Sequence, residues 1–246
     1  MPLSADETAR YARHIVLKKI GGIGQQRLKA ARVLIIGAGG LGSPALAYLA
    51  AAGVGTIGIV DDDHVSLSNL QRQIVHRTVD EGLAKTDSAQ RFATALNPHI
   101  SVKAHPVRLT AENGADIIAS YDLVLDGSDN FTTRKLVADF CARQEKPLVA
   151  GAVNLFDGNL TVFMPYENDN PSFDDLYPEP PQNETQFSCE EVGILGPITG
   201  VIGSLQALEA IKLIAKVGKP LVGEVLIYDS LDVTTRKMKY RRRTKA

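Results

Sequence analysis

Cysteine is nearly absent from this chain, with only Cys141 and Cys189 among 246 residues. A disulfide-stapled secreted scaffold is thereby excluded, and free thiols in a reducing, cytoplasmic setting are expected. Charge of one sign is lacking too. Lys and Arg total 27 against 28 Asp and Glu, a formal net charge of −1, which gives no basis for nucleic acid or a membrane surface as partner. Long hydrophobic runs are missing as well. The apolar stretch from Ala45 to Val60 is interrupted by Gly53, Gly55 and Gly58, and so reads as helix, turn and strand rather than a membrane span. The first residues, Met1 to Glu7, are polar, and no signal peptide is expected.

What is present suits one α/β domain with a full core, at 44% apolar and 22% charged residues. The expected fold is a Rossmann-like, mostly parallel sheet with helices on both faces, extended by antiparallel strands in the C-terminal half. Residues 1–31 form an N-terminal helical segment, 32–150 a nucleotide-binding half and 151–246 the antiparallel extension. Ser4-Ala5-Asp6-Glu7 is a capping box that opens a helix through Arg13 or His14. Lys18 to Gln25 is glycine-rich and reads as a connection. Strands are expected at 32–36, 56–60, 100–104, 121–126 and 146–150. Helices are expected at 42–52, 85–96 and 131–144, the last capped by Asn130 or Ser128. Val153 to Pro165 reads as a hairpin centred on Asp157-Gly158. Tyr166 to Ser188 is polar and proline-rich, a long loop expected to be mobile. Leu195 to Val217 is a buried helix rich in small residues, followed by strands near 223–229 and 233–239.

The chemistry concentrates between residues 33 and 130. Gly37, Gly39 and Gly42 satisfy G-x-G-x-x-G between a strand and a helix, a device that offers backbone N–H groups to phosphate. Asp61 lies where a carboxylate meets ribose hydroxyls. By itself this pattern leaves NAD as the ordinary ligand. The polar run Ser66-Leu67-Ser68-Asn69-Leu70-Gln71-Arg72-Gln73 argues otherwise. Forming an acyl-adenylate brings a carboxylate against a triphosphate, so cations, fixed donors and a metal on the leaving group are required. Asn69, Arg72, Lys85 and Asp129 are placed to supply them, in loops at the carboxyl ends of parallel strands. The set points to an enzyme that spends ATP on activating a carboxylate.

Arg10 to His14, Gly37-Ala38-Gly39-Gly40-Leu41-Gly42-Ser43, Asp61 with Ser66 to Gln73, Lys85, Asp126 to Asn130 and Gly196 to Lys212 together resemble the MoeB/ThiF/HesA family, the bacterial relatives of ubiquitin-activating enzymes. The likeness runs from about residue 7 to 238. It implies a homodimeric adenylyltransferase that uses ATP and Mg2+ to adenylylate the C-terminal glycine of a small ubiquitin-like sulfur carrier. The carrier would be MoaD- or ThiS-like with a Gly-Gly end, serving molybdopterin or thiamine biosynthesis. By the same likeness Gly40 and Asp61 hold the nucleotide, Asn69, Arg72, Gln73 and Lys85 surround its phosphates, Asp129 sits by the metal, and Arg13 reaches into the partner subunit's site; Asn130, beside Asp129, is a further nucleotide-binding candidate.

One departure stands out. Zinc-bearing members carry Cys-x-x-Cys in the long loop and a second pair near the C-terminus, where this chain has Ser172, Asp175 and Arg241-Arg242-Arg243. A structural zinc wants four N or S ligands, so none is expected. Cys189 matches a family cysteine that takes a thioester or persulfide in some relatives; the alternative is a half-buried small residue. Cys141 reads as core. Competing readings are a tRNA- or peptide-modifying adenylating relative, an NAD-dependent oxidoreductase and a non-catalytic binding protein. The oxidoreductase would need a hydride-transfer dyad, and His14, His64, His76, His99 and His105 form no such pattern in the sequence.

Overall fold

The computed structural model describes residues 2–179 and 193–243. Its centre is an eight-stranded sheet in the order β3-β2-β1-β4-β5-β6-β7-β8. The strands are β1 (Arg32–Ile36), β2 (Thr56–Val60), β3 (Ser101–His105), β4 (Leu123–Asp126), β5 (Leu148–Asn154), β6 (Asp157–Phe163), β7 (Glu224–Asp229) and β8 (Thr234–Lys239). The first five pair in parallel, and β6, β7 and β8 add antiparallel. The expected mixed sheet is therefore observed. Its helices are α1 (Ala5–Arg10), α2 (Ala12–Ile15), α3 (Gly21–Ala30), α4 (Gly42–Ala52), α5 (Lys85–Leu96), α6 (Gly114–Ala119), α7 (Phe131–Arg143), α8 (Phe173–Leu176) and α9 (Gly196–Ala215).

Strands buried on both faces explain the near-continuous apolar runs. Successive side chains point to opposite faces. Val33 and Ile35 enter one core with Leu46, Leu49 and Ala210, while Leu34 and Ile36 enter the other with Val137, Phe140 and Cys141. Strand order reverses between β1 and β4, the place where α/β sheets open a crevice at their carboxyl ends. The buried Gln206 of α9 braces this point, its Nε2 donating to the Asp126 carbonyl at 2.6 Å. α9 is long and apolar enough to cross a membrane, and it lays Ala207 and Ala210 into the sheet core.

Four expectations need correction. The glycine-rich segment before Arg32 is helical rather than a connection: α3 begins at Gly21, and at Gly24, where a Cβ would stand 3.7 Å from Ala215 Cβ, it packs on the end of α9. Arg27 Nη1 completes the contact by donating to the Ala215 carbonyl at 2.8 Å, so tertiary packing overrides low helix propensity. The N-terminal helix opens at the expected capping box, with Ser4 Oγ accepting from Glu7 N at 3.1 Å. It breaks at Tyr11, whose buried ring stands against Gly53 and whose hydroxyl accepts from Asn97 Nδ2 at 2.8 Å.

The hairpin turns at Leu155-Phe156 rather than at Asp157-Gly158. Gly158 lies within β6, where a Cβ would fall 2.3 Å from Ile202 Cγ1 of α9; its role is close approach, not a turn. In the long loop, residues up to Glu179 are not all irregular: they include the short helix α8, which the polar, proline-rich composition does not predict. Asp175 Oδ2 accepts from Ser172 N at 2.7 Å and Ser172 Oγ at 2.8 Å, and Asp175 Oδ1 accepts from Arg243 N at 2.8 Å. Burial pushes the Asp175 carboxyl up, but these three donors hold it below the usual range. The remainder of the loop, and Cys189 just after it, lie outside the described residues.

Gly42 provides a stability prediction. A Cβ there would sit 1.9 Å from the Gly37 carbonyl oxygen, so helix α4 cannot approach its turn with any side chain. Gly42→Ala should cost about 1–3 kcal/mol or more, read as a lower midpoint in urea denaturation.

Candidate nucleotide site

A cleft of about 260 Å3 opens at the β1–β4 switch point. Its floor is the turn after β1. Gly37 takes φ +90°, and a Cβ on it would meet the Gly127 carbonyl at 3.0 Å, so the turns after β1 and β4 lie against each other. Gly40 faces Thr199 of α9, which a Cβ would meet at 2.9 Å. Gly39 is different: its nearest neighbour would be Gln73 Nε2 at an ordinary 3.6 Å. Packing does not demand glycine at position 39; the open cleft lies over it.

The carboxyl end of β2 supplies the acidic wall. Asp61 Oδ2 accepts from Ala38 N at 2.7 Å and Oδ1 from Asp63 N at 2.9 Å. Burial pushes the Asp61 carboxyl above its usual range, opposed by the Lys85 ammonium. Lys85 opens α5 and is buried, with Nζ on Asp63 Oδ2 at 2.8 Å. The polar run after β2 forms a 3-10 turn at Leu67–Asn69. The Asn69 carbonyl accepts from both Arg72 N at 3.1 Å and Gln73 N at 3.0 Å, and this turns Arg72 and Gln73 into the cleft wall. Gln73 is buried there, and its Oε1 has no hydrogen-bond donor among the described residues.

The wall from β4 carries Ser128, Asp129 and Asn130. Asn130 Oδ1 accepts from Thr133 N at 2.9 Å, capping α7 as expected. Asp129 is exposed, bonded only by Asn130 Nδ2 at 3.3 Å among the described residues. Behind them Asp126 is fully enclosed. Burial pushes its carboxyl up, against the Arg134 guanidinium and the N–H and hydroxyl of Ser128.

Of the residues proposed from sequence, Gly37, Gly39, Gly40, Asp61, Arg72, Gln73, Lys85, Asp129 and Asn130 line one cleft. Gly42 and Asn69 stand one layer behind it, shaping the turns. Arg13 is exposed on α2 and outside the cleft. Sequence reading missed Arg108, Arg134 and Thr199, which also line it. Arg108 follows β3, a third parallel strand whose carboxyl end the switch-point rule already covers. Arg134 stands four residues after Asn130 on α7 and clamps the Ser128 carbonyl through Nε and Nη2 at 3.2 and 2.9 Å. Nothing local marked Thr199.

A doubly wound sheet whose cleft sets Arg72, Lys85, Arg108 and Arg134 among carboxylates over a glycine turn has the architecture of a nucleotide-binding α/β protein. Residues 11–246 match the ThiF family, and the chain belongs to it. It is 49% identical over 242 residues to a probable adenylyltransferase/sulfurtransferase MoeZ of Mycobacterium tuberculosis, covering 98% of this chain and 62% of that protein. It therefore spans less than two-thirds of that relative's length. It is 46% identical over 245 residues to a sulfur carrier protein adenylyltransferase of Thermus thermophilus, covering 98% of this chain and 90% of that one. The fold is shared with Escherichia coli MccB in a crystal structure with ATP, at TM-score 0.85 and 22% identity over 98% of this chain and 73% of that one.

Proposed function

We propose that this chain adenylylates the C-terminal glycine of a ubiquitin-like sulfur carrier protein, consuming ATP and releasing pyrophosphate. The observation that carries the reading is the meeting of Arg72, Lys85, Arg108 and Arg134 with a glycine turn and Asp129 in one cleft. The names of the Mycobacterium and Thermus relatives support the same activity.

In the reaction, a carboxylate oxygen of the carrier's last glycine attacks the α-phosphorus. The new O–P bond forms as the bond to pyrophosphate breaks, and its electron pair leaves with pyrophosphate. Two anions must approach, so the barrier is largely electrostatic. Arg72 and Lys85 offset the phosphate charge, and the N–H groups of Gly39 and Gly40 donate to no backbone acceptor among the described residues, which leaves them free for phosphate oxygens. Val107 and Leu109 provide an apolar wall for the base. Gln73 Oε1, buried and lacking a donor, suits a hydroxyl of the ribose.

Mg2+ would neutralise charge on the departing pyrophosphate. A hard cation takes oxygen ligands and keeps several waters, which fits the exposed, nearly unengaged Asp129 carboxylate. Asp61 and Asp63 fit less well, since backbone donors and Lys85 already use them. The same reading makes the enzyme a cytoplasmic homodimer, with Arg13 crossing to the partner's cleft. It leaves a place in molybdopterin or thiamine sulfur chemistry to be decided by the carrier.

The test is ATP–pyrophosphate exchange with candidate carriers ending in Gly-Gly, each compared with a version lacking its final glycine. Exchange is expected only with the intact carrier. Exchange that ignores the carrier would remove the reading.

A further inference from the structure

The buried histidine beneath the glycine turn has no part in the chemistry above. His76 is 5% exposed and lies between the turn and α5. Its Nε2 is 2.9 Å from the Ala38 carbonyl oxygen, and its Nδ1 is 2.8 Å from Ser88 Oγ. Ser88 Oγ in turn reaches Asp80 Oδ2 at 3.0 Å. A serine, a histidine and an aspartate in one chain suggest a nucleophile, but the order excludes it. The serine sits between the other two, is buried, and does not line the cleft.

The carbonyl of Ala38 can only accept, so Nε2 carries the hydrogen and donates it. Ala38 is then held at both ends, its N–H by Asp61 and its carbonyl by His76. No peptide among the described residues is cis. In a trans peptide the N–H points opposite to the carbonyl. With the Ala38 carbonyl drawn inward to the ring, the Gly39 N–H faces away from it, on the side where Gly39 lines the cleft. Glycines at 37, 39 and 40 would otherwise leave this peptide free to rotate.

We propose that His76 is a positioning residue, fixing the Ala38–Gly39 peptide so that the Gly39 N–H is preorganised for a nucleotide phosphate. Donors set in place before the ligand arrives cost no reorganisation when it binds. The proposal rests on reading the cleft as an ATP site, and its role is in nucleotide affinity rather than in bond making.

The test uses the full chain with His76→Leu, His76→Gln and Asn97→Ala. The last removes buried bonds to Tyr11 and to Ala50 in the last turn of α4, none of which lines the cleft. Calorimetry with a non-hydrolysable ATP analogue is paired with KM and kcat from pyrophosphate exchange. His76→Leu should raise Kd and KM for ATP about tenfold, the value of one lost buried hydrogen bond, with the KM for the carrier unchanged. His76→Gln, which keeps an N–H donor of similar reach, should restore most of the affinity. Asn97→Ala should lower thermal stability without moving the ATP KM.

A folded His76→Leu with wild-type ATP affinity overturns the proposal, and so does an equal KM rise in Asn97→Ala. Should His76→Leu fail to fold, Ser88→Ala removes the ring's other support: a severalfold rise in KM upholds the proposal, and no change overturns it. A wild type that refuses ATP removes the ATP reading itself, an outcome distinct from a wild type that binds it while the His76 variants do equally well.

Discussion

Lys85→Ala is expected to lower carrier-dependent ATP–pyrophosphate exchange roughly a thousandfold, the upper end of what loss of one preorganised electrostatic group costs. Two effects combine. The cleft loses a buried cation, and it keeps Asp61, Asp62 and Asp63, whose carboxylate oxygens lie within 4.8 Å of one another. A wall that balanced the incoming phosphates then repels them. The fold should tolerate the change. Asp63 has 68% of its side chain exposed, so water takes the place of the lost ammonium, and the damage stays in the cleft. Circular dichroism and thermal melting near wild type, together with collapsed exchange, are the expected pair of results. Near-normal exchange would mean that the phosphates lie elsewhere.

Asp129→Asn is expected to reduce exchange about a hundredfold at ordinary Mg2+ and to raise the Mg2+ concentration needed for half-maximal rate, as follows from removing a charged oxygen ligand beside a transferring phosphoryl group. The substitution keeps the side chain's shape, and among the described residues the carboxylate has only the Asn130 amide to lose, so stability should barely move. Asp62→Asn is the informative companion, because Asp62 is also exposed and lines the opposite wall. A Mg2+ dependence that shifts in Asp62→Asn and not in Asp129→Asn would place the cation at the end of β2. Mg2+ titrations of the exchange rate in both variants decide between them.

Much of this was legible in the sequence because the signals were local. Val33 to Gly42 announces a strand, a turn and a helix through apolar alternation and glycine spacing. Asn130 announces a helix start through its side chain. Arg72, Lys85 and Asp129 could be assigned because each lies in the connection that leaves the carboxyl end of a parallel strand or at the helix start that ends it, and strand ends converge in this topology. What was missed is set at a distance. Gly158 resembles a turn residue until Ile202 of α9 is seen to press on it. The glycines of α3 resemble a loop until Ala215 and Arg27 show the packing that holds them helical. His76 looked unattached because its partners, Ala38 and Ser88, flank it from opposite directions in the chain, and Thr199 reaches Gly40 only after the whole sheet is in place.

The reversal of strand order has a consequence for assembly. β1 and β4, which carry the floor and one wall of the cleft, pair through contacts such as Val33 with Leu123. Closing so long a chain segment is slow compared with local helix formation. A growing or truncated polypeptide that stops before β4 would own a complete glycine turn yet only half a receptacle. Ligand-dependent protection against proteolysis therefore reports on completion of the central sheet, and gives a direct measure of when a nascent chain becomes competent.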